Sequence, residues 1–138
     1  QWCLDTPETR IVLDWVKNEI YNKLSLPLIH QHPNEQWNRD IVRNVLEPTD
    51  YWGAVYNKGD HANKHEHTCA FSWVYFINCP KGSAPLVLSD SNTKIKAEEG
   101  KVVIFPGLTY HHVPKNKCDD RIVMAGNLIY TGAGRRNT

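Results

Sequence analysis

The hydrophobic pattern changes period once along the chain. In the first third, Ile11, Trp15, Ile20 and Leu24 recur at helical spacing, and Val12 and Val16 widen the stripe. Thr6-Pro7-Glu8 reads as a helix start, with Thr as cap, Pro at the first helical position and an acid in the first turn. Pro27 ends this helix. Trp37, Ile41 and Val45 predict a second, shorter helix after Pro33-Asn34, stopped near Pro48. His30 and His32 fall in the loop between the two and read as structural or exposed. Residues 1–48 are therefore expected to be mostly helical and to brace one face of a sheet.

From Tyr51 onward the period falls to two. Tyr51–Tyr56 reads as a strand, closed by the turn Asn57-Lys58-Gly59-Asp60. Phe71–Ile77 is an aromatic and β-branched strand, ended by Cys79-Pro80-Lys81-Gly82. Leu86–Leu88, Lys94–Lys96, Lys101–Phe105 and Arg121–Tyr130 complete a series of short strands separated by Gly, Pro, Asn and Asp. That rhythm predicts a mainly β sandwich or barrel over 51–130. With 138 residues, the chain fits a single domain spanning 1–138.

Composition narrows the function classes. The net charge is +1 and the basic residues are scattered, so no nucleic-acid or anionic membrane partner is expected. No apolar run approaches the roughly 20 residues of a membrane helix. No signal-peptide pattern opens the chain, which starts on Gln1 rather than Met and so suggests a trimmed or truncated start. Cys3, Cys69, Cys79 and Cys118 form no C-x-x-C pair and read as free thiols, which favours a cytoplasmic setting.

The histidines are the anomaly. Five of the seven fall in two clusters, His61/His65/His67 and His111/His112. In extended chain, residues i and i+2 share a face, so His65 and His67 can reach one metal while Glu66 points away. Gly100 opens a strand, Pro106-Gly107 turns the chain, and the next strand starts with His111. In a jelly roll that strand can face the first pair, so His111 completes three ligands and leaves positions open. His112, adjacent in the strand, must point the other way. The alternative is that a carboxylate, Asp60 or Asp90, replaces His67. Ten residues after His111, Arg121 heads an apolar strand. It reads either as a strand-end charge paired with Asp119 or Asp120, or as a bidentate clamp for a carboxylate inside the barrel.

These pieces resemble a known family. Gly59 to His67 (G-D-H-A-N-K-H-E-H), Ser72-Trp-Val-Tyr-Phe76, Gly100 to Pro106 (G-K-V-V-I-F-P), His111-His-Val-Pro, and Arg121 with Asn127 six residues later are similar to Fe(II)/2-oxoglutarate-dependent oxygenases. The likeness is to a small subfamily of marine bacteria and phages, and it covers a little over half the chain. The resemblance implies a double-stranded β-helix, a cupin-like jelly roll. It implies Fe(II) held by His65 and His111, with 2-oxoglutarate as co-substrate and Arg121 on its distal carboxylate. Tyr75, Tyr110 and Asn127 are further candidates to bind the acid. The reaction implied consumes dioxygen and 2-oxoglutarate, yields succinate and carbon dioxide, and hydroxylates a small-molecule or peptidyl substrate. His67 departs from the family, where an acid is usual, and so does Val123, where some relatives carry serine.

The chain also resembles cupins. Gly59, five residues, then His65-x-His67 fits their first signature; Gly100, five residues, Pro106 and then His111 fits the second. The glutamate expected shortly after the His-x-His pair is missing. A cupin-type metalloprotein, acting as three-histidine dioxygenase, isomerase or small-molecule binder, would not need Arg121. The exposed edges of either jelly roll allow pairing into a homodimer.

Overall fold

A computed structural model describes residues 5–20 and 46–130. The second predicted helix, Leu24, His30, His32 and Cys3 lie outside the described residues. Helix α1 spans Pro7–Ile20. Its start is a reciprocal cap between two threonines. The Thr9 amide donates to Thr6 Oγ1 at 3.2 Å, and the Thr6 amide donates to Thr9 Oγ1 at 2.8 Å.

The buried face of α1 keeps the expected Val16 and Ile20 but leaves out Ile11 and Trp15. Thr9, Leu13, Val16 and Ile20 are buried, whereas Ile11 is 70% and Trp15 37% exposed. Positions 9, 13, 16 and 20 follow the helical repeat, while Ile11 and Trp15 each stand two residues from Leu13, about 200° round the axis. Trp15 still makes an edge-on contact with Tyr75, with ring centroids 5.5 Å apart.

Eight antiparallel strands follow: β1 Leu46–Tyr56, β2 Ala62–His65, β3 Phe71–Asn78, β4 Leu86–Leu88, β5 Thr93–Ile95, β6 Val102–Pro106, β7 His111–Val113 and β8 Arg121–Tyr130. They form two four-stranded sheets, ordered β1-β8-β3-β6 and β2-β7-β4-β5. This is the double-stranded β-helix that the family resemblance implies, within the sandwich or barrel class that the strand rhythm predicts. β1 starts earlier than expected, at Leu46, so Pro48 lies within a strand. It is tolerated because β1, an edge strand among the described residues, shifts its register between Pro48 and Asp50. Among the described residues no helix is long and apolar enough to cross a membrane.

Both faces of the first sheet are covered. Phe71 and Trp73 of β3, with Met124 and Leu128 of β8, pack against Leu13, Val16 and Ile20 of α1. Phe76 and Val123 point the other way and pack with Leu86, Phe105 and Val113 between the sheets. The two side-chain sets alternate along each strand, as a pleated backbone requires. Cys69, Cys79 and Cys118 are free thiols.

Candidate metal centre

His65 ends β2 and His111 begins β7, and the two are cross-strand partners. Directly opposed side chains in an antiparallel pair share a face, so both rings turn inward. His67 lies on the loop beyond β2. Its amide donates to Gly107 O at 2.8 Å, and the Gly107 amide donates to Ala70 O at 3.2 Å. Gly107 is required by close approach: a Cβ there would lie 2.3 Å from the Cys69 carbonyl oxygen. The Pro106-Gly107 turn thus fastens the His67 loop against the strand pair.

One ligand nitrogen from each of the three rings lies within 4.8 Å of the others. Ring centroids are 4.1 Å apart for His65 and His111, 5.0 Å for His65 and His67, and 5.3 Å for His67 and His111. His65 Nδ1 donates to Asn63 O at 2.5 Å, and His111 Nδ1 donates to Thr109 O at 2.8 Å. A carbonyl only accepts, so Nδ1 carries a proton, and in the neutral ring Nε2 then keeps its lone pair. Burial lowers the pKa of His111 to about 4, against the opposing Thr109 hydrogen bond and with help from the His65, His67 and His112 charges. Burial, then the neighbouring His65, also lowers that of His67. Neutral rings with free Nε2 lone pairs are what a divalent transition metal needs. The donor set therefore fits such an ion.

Neither candidate carboxylate joins the cluster. Asp60 Oδ2 accepts from the Asn57 amide at 2.7 Å within its own turn. Asp90 pairs with Lys64 at 3.5 Å on the surface.

The three rings line a cavity of about 260 Å³ between the sheets. Arg121 lines the same cavity and is 1% exposed. Its Nε donates to Ala84 O at 2.9 Å, and its guanidinium carbon sits 4.6 Å from the centre of the Tyr56 ring. Tyr56 and Arg121 are cross-strand partners on β1 and β8. Among the described residues no carboxylate pairs with Arg121. Asp119 instead accepts from the Lys58 amide at 3.1 Å, and the Asp120 side chain is exposed. Burial lowers the Arg121 pKa, with Tyr56 opposing that shift. Burial raises the Tyr56 pKa, and Arg121 opposes. The terminal guanidinium nitrogens bond to no described residue, which leaves charged donors without an acceptor in a largely apolar cavity.

Asn127 also lines the cavity. Its Oδ1 accepts from Ser72 Oγ at 2.8 Å, and its Nδ2 donates to Asp50 Oδ1 at 3.0 Å. Tyr75 does not belong to the site. It lies on the helix side of β3 with Trp73 and Phe71, one residue out of step with Ser72 and Val74, which line the cavity. Tyr110 is 42% exposed and carries Lys64 over its ring. Tyr56, Ser72 and Trp52 are cavity residues that sequence reasoning missed. For Tyr56 the signal would have been its pairing with Arg121, which only the strand register reveals. Asn116 was missed too. It is 2% exposed, accepts from the Ala84 amide at 2.9 Å, and donates to Tyr56 O at 3.0 Å and Cys118 O at 2.6 Å.

No protein-family model matches the sequence, and no curated protein matches it. Solved structures do. An oxidoreductase of the 2OG-Fe(II) oxygenase family from Burkholderia pseudomallei superposes with a TM-score of 0.59 at 14% identity, over 75% of this chain and 55% of that one. A truncated form of the viral collagen prolyl hydroxylase of Paramecium Bursaria Chlorella virus-1 gives 0.56 at 15% identity, over 70% and 66%. A Pseudomonas putida prolyl-4-hydroxylase gives 0.52 at 14%, over 86% and 80%. The chain spans about half the length of the Burkholderia protein. At these identities the likeness establishes the shared fold.

Proposed function

We propose that this chain is a non-haem Fe(II)- and 2-oxoglutarate-dependent dioxygenase that hydroxylates a small-molecule or peptidyl substrate. The observation that carries the reading is a buried guanidinium with no acid partner among the described residues, in the same cavity as three converging imidazoles. A buried charge without a partner is costly, and a carboxylate bound from outside removes that cost. Solved oxygenases with this fold agree with the reading.

When bound, the iron and the 2-oxo acid supply the oxidising chemistry. The chain holds and orients them. His65 and His111 offer Nε2, and His67 offers one ring nitrogen, from one end of the cavity. Arg121 presents its terminal N–H groups to the distal carboxylate, and the Tyr56 ring fixes the guanidinium plane. Asn127 cannot swing freely, because Ser72 and Asp50 fix both ends of its amide. Val74, Leu86, Phe105 and Val123 make the remaining wall apolar and exclude water.

The test is anaerobic titration of the Fe(II)-loaded protein with 2-oxoglutarate, read as a visible charge-transfer band. The band should appear and saturate. Arg121→Ala should weaken the apparent affinity by roughly tenfold or more, the size of a lost charged contact, with iron content unchanged. The neutral three-imidazole set favours one other reading, a cupin-type metalloprotein in which Arg121 only buttresses Ala84 and Tyr56. Full iron occupancy with no band would select that reading and reject ours.

A further inference from the structure

The β2–β7 pair that carries His65 and His111 has a second face. Successive residues of a strand point to opposite sides, so His112 turns away from the cavity that His111 lines. It lines an open groove of about 480 Å³ on the outside of the pair. Three further basic side chains line this groove, His61, Lys64 and Lys115, and no acidic residue does. Ser89 closes one end, and its Oγ lies 2.6 Å from His112 Nδ1. The hydroxyl can donate to Nδ1, which puts the ring proton on Nε2 and leaves it as a further donor.

We infer that this groove is a binding site for a phosphate-type oxyanion, as inorganic phosphate or a small phosphomonoester, separate from the histidine cavity. Two lysines and two histidines line a space far larger than one oxyanion, and the Lys64 ammonium, now over Tyr110 and beside Asp90, can swing into it. Several cations facing one space repel one another unless an anion lies between them. A multiply charged oxyanion with three or more acceptor oxygens satisfies such a set, and a single carboxylate does not. Lys64 pairs at 3.5 Å with Asp90. Both side chains are exposed, so the pair is weak and yields to a dianion. The inference does not depend on the proposed oxygenase activity, because none of these basic residues lines the cavity.

The experiment is two-dimensional amide NMR of the full chain, zinc-loaded and again without added metal. The ligands are inorganic phosphate, glycerol phosphate and, as controls, acetate and succinate. Both phosphates should give saturable shifts at 61–64, 89 and 112–115, with half-saturation in the millimolar range, and the shifts should be the same with and without metal. The Lys64→Ala/Lys115→Ala double variant should weaken binding by roughly tenfold, the worth of about one charge-assisted contact, while zinc content stays the same. No saturation by about 20 mM would overturn the site, as would unchanged binding in the double variant. Equal binding of acetate and succinate would overturn the phosphate assignment. Shifts confined to Trp52, Ser72 and Asn127, lost without metal, would place the anion in the histidine cavity instead.

Discussion

A histidine has two ring nitrogens, and at residues 65 and 111 a backbone carbonyl two residues upstream already occupies one of them. The rings are thereby set for Nε2 donation before any ion arrives. The arrangement has a cost that pH exposes in the metal-free protein. His111 has a pKa of about 4 in the folded chain, against an ordinary value near 6.5 when unfolded. Above the ordinary value both states hold the ring neutral and the shift has no effect. As pH falls below it, the unfolded chain takes up a proton that the folded chain refuses, so stability drops until about pH 4. The loss from this ring should reach about 2 kcal/mol between pH 8 and pH 5. Urea unfolding of metal-free wild type and His111→Gln at the two pH values isolates it. Wild type should lose more stability than the variant; equal losses would contradict the buried neutral ring. Arg121 is the opposite case among side chains, since it keeps its charge and needs a partner. Its place at the head of an apolar strand was legible in the sequence. The shelf that holds it was not, because Tyr56 reaches it through strand pairing across 65 residues of chain.

At the scale of elements, the strands were largely legible because each is a short apolar run closed by turn residues. Which side of a strand faces the site was not. In β3 the residues Phe71, Trp73 and Tyr75 are covered by α1, while Ser72, Val74 and Phe76 face the other sheet. With both faces buried, the alternation of polar and apolar positions vanishes, so the pattern does not tell that Tyr75 faces α1 rather than the cavity. In α1 the apolar stripe is wide, so the sequence does not tell that Leu13 packs beside the expected Val16 and Ile20 while Ile11 and Trp15 stay largely outside. Loops carry polar determinants that no pattern signals. Asn116 holds the turn at 57–60, the segment before β4 and the approach to β8 together through its side chain and backbone. Replacing it with Ala strands the buried Ala84 amide and the Tyr56 carbonyl. Asn116→Ala should therefore cost about 2–4 kcal/mol, two or more unmet buried partners. Chemical denaturation measures this directly. A loss below about 0.5 kcal/mol would mean that water replaces the side chain without penalty.

At the scale of the whole molecule, the two ends of the cavity belong to different sheets. His65 and His111 come from β2 and β7 of one sheet, and His67 from the loop that leaves β2 for β3. Arg121 and Tyr56 come from β8 and β1 on the other. Among the described residues the sheets exchange no ladder hydrogen bonds, and packing around Phe76, Phe105 and Val113 and the bond from Arg121 to Ala84 O hold them in register. A metal alone fastens one sheet, and mainly β2, which is four residues long and among the described residues pairs only with β7. An acid bound to both the metal and Arg121 would span the gap. Any ligand that binds only the folded state stabilises what it touches. Hydrogen exchange should therefore respond in two stages. Zinc or anaerobic Fe(II) should slow exchange in 62–67 and 111–113, with little change in β1 and β8. Adding 2-oxoglutarate should then slow exchange at 54–56 and 121–123, and Arg121→Ala should abolish the second stage while leaving the first intact. If the acid protects only the histidine-bearing sheet, it is held by the metal alone and Arg121 does not reach it.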